Sequence, residues 1–204
     1  MHRNRSWIVL VTGLAAATVM AACAKPPQGE ISQAASAIAA ATASEGAIYA
    51  PSELEKANEA LRAANAEVAA QGEKFALMRS YDHAKELLQA AAVAGQEAEA
   101  KAVAGREVAR TRAEDAVERL TSLMTTVEGD LVALAGCRKS PKGFAQDLEL
   151  LRGRTDALGG QVATVESATS EARFPQAVEI ATALEPQIQA LADDLSSARS
   201  KLGC

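Results

Sequence analysis

Downstream of residue 30, apolar residues recur at steps of three and four along nearly the whole chain, a period that predicts helices and no strands. Ile31, Ala34, Ile38, Ala41, Glu45 and Ile48 predict a first helix over about 30–47. Tyr49-Ala50-Pro51-Ser52-Glu53 interrupts it, and Pro51 suits the first turn of a second helix. Leu54, Ala57, Leu61, Ala64 and Val68 carry that helix over 51–72. From Arg79 to Ala135 there is no proline, and Tyr81, Ala84, Leu88, Ala91, Ala98 and Ala102 form a third stripe. Its phase shifts near Ala109 and resumes as a strict heptad, Val117, Leu120, Met124, Val127, Leu131 and Leu134. Gly95 and Gly105 flank the shift, where a bend or break is expected.

Gly136-Cys137-Arg138-Lys139-Ser140-Pro141-Lys142-Gly143 reads as a turn. Phe144, Leu148, Leu151, Leu158, Val162 and Val165 then mark a fourth helix. A fifth carries Ala177, Ala181, Leu184, Ile188, Leu191, Leu195, Ala198 and Leu202, with Pro186 inside it predicting a kink. Tyr81-x-x-Ala84 and Phe174-x-x-Ala177 each place an aromatic residue at a helix start, where it would close a hairpin.

The first 23 residues follow a different rule. Met1–Arg5 is short and basic, Trp7–Ala22 is apolar, and Met20-Ala21-Ala22-Cys23 closes the segment. The arrangement resembles a bacterial lipoprotein signal, with Met20 where the pattern prefers Leu. The resemblance implies removal of residues 1–22 and a diacylglyceryl thioether, with an added acyl chain such as palmitate on the amine, at Cys23. Such a chain is anchored to a membrane without spanning it. Alternatives are a plain secretory leader or an uncleaved helix, although the apolar run is shorter than the roughly 20 residues of a span. Ala24 is not the Asp that resembles an inner-membrane retention signal, so the expected address is the outer membrane, facing the periplasm. Residues 23–29, which include Pro26 and Pro27, are expected to form a tether.

Loss of Arg3 and Arg5 with the leader takes the formal charge from −5 to −7. Acids and bases are interspersed at helical spacing instead of clustering, which argues against a nucleic-acid partner. Beyond the leader the aromatics are Tyr49, Phe75, Tyr81, Phe144 and Phe174, among many alanines. Small side chains let helix axes approach closely and leave little room for large pockets.

Apart from Cys23, the cysteines are Cys137 and Cys204, and an envelope compartment permits disulfides. Each follows a glycine that ends a helix. Because the fourth and fifth helices have similar lengths, both thiols return to one end of the bundle, which predicts a structural Cys137–Cys204 disulfide. No CxxC, nearby histidine or acidic cluster supports a redox pair or a metal site.

Residues 31–100 carry an Ala-rich helix, the junction Tyr49-Ala50-Pro51-Ser52-Glu53-Leu54, then Ala57, Leu61, Ala64, and then Tyr81, Ala84 and Leu88. This third of the chain resembles the bacterial lipoprotein and periplasmic family called domain of unknown function 4398. The resemblance implies an envelope location and a helical, often anchored module, sometimes beside a peptidoglycan-binding domain. It implies no reaction.

His83 is the sole histidine outside the leader, and no Ser-His-Asp order or Gly-rich elbow accompanies it. Glu114-Asp115 and Asp193-Asp194 are sequence neighbours, which point to different faces of a helix. No catalytic residue, metal or cofactor is expected.

The expected fold is all-α: an elongated antiparallel helical bundle in which two helical hairpins pack on a shared long central helix. Its parts are a signal peptide (1–22), the tether (23–29), an Ala-rich module (30–105) and a three-helix bundle with a disulfide (106–204). In this rod Cys23 lies at one end and the Cys137/Cys204 turn at the other, with Arg138, Lys139 and Lys142 as a candidate partner-binding tip. The expected role is a non-enzymatic envelope scaffold or adaptor that binds a protein or peptidoglycan. Alternatives are a self-associating coiled-coil homo-oligomer, motivated by the heptad, and a carrier of lipid or a small ligand.

Overall fold

The computed structural model describes residues 25–139 and 141–204, so the leader and Cys23 lie outside the described residues. Among the described residues there is no strand. The chain forms α1 (Gln28–Ala43), α2 (Gly46–Tyr49), α3 (Pro51–Glu73), a 3-10 turn (Ala76–Met78), α4 (Asp82–Ala135), α5 (Phe144–Ser170) and α6 (Phe174–Leu202). It divides into two compact units at Val103/Ala104. In unit 1 the α1–α3 hairpin packs on the first part of α4; in unit 2 the α5–α6 hairpin packs on the remainder.

Unit 1 is held by small side chains. Ala34, Ala64, Leu88, Ala91 and Ala92 form one buried cluster, and Ile38, Ala41, Leu54, Ala57 and Ala98 form another. At Gly95 the backbone of α1 comes close to α4. A Cβ there would sit 2.9 Å from the Ala37 carbonyl carbon and 3.0 Å from the Ile38 nitrogen. The helix α4 is unbroken through this position, and Gly95 removes the side chain that would hold α1 away. Gly95→Ala is therefore expected to destabilise unit 1 by about 1–3 kcal/mol, although alanine is the better helix former, because backbone atoms must move. Urea unfolding followed by circular dichroism checks this.

Two expectations at the start of unit 1 are corrected. The first helix ends at Ala43, not near residue 47: Glu45 turns into the left-handed region at φ 59°, and the chain re-enters the short α2. Gly46 makes this turn possible, because a Cβ on it would lie 2.7 Å from the Ala41 carbonyl oxygen. Ile48 consequently leaves the apolar stripe and is 58% exposed. The tether is also shorter than 23–29. Pro27 is buried, its carbonyl accepts the Ile31 N–H at 3.0 Å, and Gln28 and Gly29 belong to α1.

The junction after α2 has a clear local logic. Ala50 is buried at φ −145° and ψ 52°, outside the helical region that a residue before proline avoids, and Pro51 opens α3. Glu53 then lies in the first turn of α3, where an anion favours the positive end of the helix dipole. Its Oε1 accepts from Lys101 Nζ at 2.9 Å, and its Oε2 accepts from the Ser52 hydroxyl at 2.8 Å. The Lys101 hydrogen bond, followed by that of Ser52, lowers the Glu53 pKa to about 2. A depressed carboxylate stabilises the fold above its unfolded pKa, and this contribution is lost as pH falls through its folded pKa. The stabilisation should thus fade from about pH 4.3 down to about pH 2. Carbon-detected NMR should find the low Glu53 midpoint in the wild type and a midpoint moved upward in Lys101→Met.

Unit 2 is a three-helix bundle with heptad seams. On α6, Phe174, Ala177, Ala181, Leu184, Ile188, Leu191 and Leu195 are all buried, and exposed Pro186 does not interrupt the helix. On α5, Leu148, Leu158, Val162, Val165 and Ala168 are buried together with Thr155. Thr155 occupies a seam position without orphaning its hydroxyl, which donates to the Leu151 carbonyl at 3.0 Å. On α4 the buried face begins earlier than the strict heptad, taking in Ala113 and Ala116 before Leu120, Met124, Val127 and Leu134. One helix facing two others needs a wider apolar face than a coiled-coil seam. The heptad is thus occupied within the chain by α5 and α6. Ion pairs between helices rim this core: Arg199 with Asp130, Arg154 with Asp194 at 3.1 Å, and Arg119 with Glu185 at 3.9 Å.

Candidate functional site

The α4–α5 turn and the end of α6 meet at the Cys137–Cys204 disulfide, whose Cα atoms are 5.7 Å apart. Local rules bring the two cysteines there. Cys137 N–H closes the last turn of α4 onto the Leu134 carbonyl at 3.1 Å. Gly203, at φ 72°, ends α6 in the left-handed conformation, and Cys204 N–H reaches back to the Arg199 carbonyl at 3.2 Å. That six-to-one bond is a Schellman cap, which satisfies carbonyls the helix cannot use internally.

Arg138, Lys139 and Lys142 follow Cys137 in the turn and are all exposed. Lys139 Nζ lies against Gly203, 3.7 Å from where a Cβ would stand. A cation there faces the negative end of the α6 dipole, which favours the folded unit. Gly143, at φ 90°, redirects the chain into α5, and Pro141–Gln146 line a shallow concavity of about 440 Å³. Lys139 is thereby placed at the end of α6, while Lys142 lines the concavity of the turn. A second shallow groove, of about 450 Å³, runs between α5 and α6 beside Arg154, Gln161 and Pro186.

The acidic pairs do not converge. Glu114 receives Arg110 Nη1 at 2.6 Å, Asp194 receives Arg154, and Asp193 accepts from Gln189 at 3.2 Å. His83 is exposed, with Nδ1 3.6 Å from Glu86. Glu107 and Arg110 reinforce each other's charged forms, the carboxyl lowered and the guanidinium raised, through their mutual hydrogen bonds. Among the described residues, no group of three or more His, Cys, Asp or Glu could hold a metal ion. No helix among them is long and apolar enough to cross a membrane.

One feature has no counterpart in the expected site. Between α3 and α4, Phe75, Leu77 and Met78 are 85%, 90% and 75% exposed. A legible signal was present: Phe75-Ala76-Leu77-Met78 is an apolar run between Lys74 and Arg79 that belongs to neither neighbouring stripe.

No family model matches the chain, and no curated protein or solved structure does either.

Proposed function

We propose that this is a lipid-anchored, non-enzymatic helical protein of the bacterial envelope. It is held at the periplasmic face of the outer membrane through Cys23 and acts as a scaffold or adaptor for a protein or peptidoglycan partner. The observation that carries this reading is the basic, apolar and small-residue order of Met1–Cys23. The Tyr49–Leu54 junction, through its resemblance to the domain of unknown function 4398 family, supports the same location. The helical surface, on which Glu114 and Asp194 are engaged in solvent-facing pairs, suits a binding scaffold better than a reaction site. The α4 heptad is occupied by α5 and α6, which favours the adaptor over a coiled-coil homo-oligomer. Five aromatics beyond the leader give little lining for a lipid or small-ligand carrier.

Labelled palmitate should enter the wild-type chain and be lost in Cys23→Ser. A photo-crosslinking residue replacing Lys139, compared in cells with one replacing Glu59, tests the adaptor role. A dominant protein or peptidoglycan adduct at position 139 alone is expected. Adducts only to the chain itself, or none at either site, would remove the docking role of Arg138, Lys139 and Lys142.

A further inference from the structure

The α3–α4 loop spends ordered backbone on displaying apolar side chains. Met78 N–H donates to the Phe75 carbonyl at 2.8 Å, and Arg79 Nε donates to the Lys74 carbonyl at 2.7 Å. Beneath them, Ser80 N–H donates to Oε1 of buried Gln71 at 3.3 Å, while the Gln71 amide donates to Glu67 at 2.8 Å. Tyr81 is buried at the base. A connection of this length needs no large apolar residues, yet Phe75, Leu77 and Met78 all project into solvent. A contiguous exposed apolar patch marks a contact with something apolar.

Its place in unit 1 indicates what that is. Ile31, in the first turn of α1, packs into the cluster that holds Val68 near the end of α3 and Leu87 and Leu88 near the start of α4. The start of α1 and the apolar loop therefore lie at the same end of unit 1. The chain leaves this end toward Cys23, and because Pro27 is buried little slack remains. The two steps of chain from Cys23 to Lys25 span at most about 7 Å. Lys25, Lys74 and Arg79 contribute positive charge here, alongside Glu73 and the Asp82–Lys85 pair. Large apolar side chains with flanking cations suit a headgroup and acyl-chain boundary.

Building on the lipid-anchor reading, we propose that Phe75, Leu77 and Met78 insert into the same bilayer that holds the Cys23 lipid. The lipid alone leaves unit 1 free to swing about its short tether. A second apolar contact at the same end fixes which face of the unit meets the membrane.

The test places a lone tryptophan at the loop by Leu77→Trp, or at exposed Ile48, beside the other cluster of unit 1, by Ile48→Trp. Trp7→Phe is made in both chains. The full protein is reconstituted in vesicles of equal phosphatidylethanolamine and phosphatidylglycerol, with or without brominated acyl chains. Tryptophan at position 77 is expected to shift to the blue and lose most of its emission to brominated lipid, while that at 48 keeps its own. Equal quenching at both positions, or none at 77, overturns the proposal. A blue shift at 77 that needs no vesicles and grows with protein concentration makes a second copy of the chain the occupant, and overturns it too. Intact mass of the same samples reports the Cys23 lipid and any retained leader, so failure of the anchor reading is seen separately from failure of insertion.

Discussion

Replacing Cys137 and Cys204 together with serine is expected to cost unit 2 about 4 kcal/mol. The two residues are 67 positions apart and join the end of α4 to the end of α6. In the unfolded chain the bridge forbids conformations in which those ends separate, and that restriction raises the free energy of the unfolded state. The folded unit should change little, because α4, α5 and α6 share a continuous buried core without the bond. Hydrogen exchange resolved to peptides within 104–204 is the measurement of choice, since it reads unit 2 separately from unit 1. The double variant should keep its helical circular dichroism while slow-exchanging amides in α4, α5 and α6 lose protection. Reduction of the wild type should reproduce the loss. Unchanged protection in both would mean that the bridge restrains nothing the core does not already hold.

Leu120→Ala should be of similar size, about 3–5 kcal/mol. Leu120 is fully buried on α4, in the core that also contains Val162 and Val165 of α5 and Leu184 and Ile188 of α6. Truncation removes buried apolar surface and leaves a cavity that three rigid helices fill poorly. Leu150→Ala is the matched control. Leu150 is 69% exposed on α5, so the same chemical change there should stay within about 0.5 kcal/mol. Urea denaturation of both variants separates burial from helix propensity, because both substitutions replace leucine with alanine in a helix interior. Comparable losses at the two sites would contradict the assignment of the α4 seam to the core.

The regular parts of the molecule were legible because helix periodicity is a one-dimensional property. Steps of three and four alone specify which face of α5 or α6 is apolar, and the structure buries those faces. The Cys137–Cys204 pairing followed from similar helix lengths, which is again information carried along the chain. Thr155 was passed over because its type is polar, although its position lies on the α5 seam; a hydroxyl satisfied by its own helix can occupy an apolar site.

Other features arise only where separate segments meet. Gly95 looked like a weak point in a long helix, and only the approach of Ala37 and Ile38 from α1 explains it. The end of α1 at Ala43 depends on the left-handed Glu45 and on the space above Gly46, neither of which a hydrophobic stripe encodes. The basic residues of the α4–α5 turn were visible as a cluster, but the contact of Lys139 with the end of α6 required the fold. Phe75, Leu77 and Met78 make the same point about surfaces. The sequence by itself determined that this protein is helical, where its seams run and which cysteines pair, because those properties follow from local spacing. Only the tertiary structure decided where backbones touch and which apolar side chains are left in water, because exposure depends on which neighbours arrive from elsewhere in the chain.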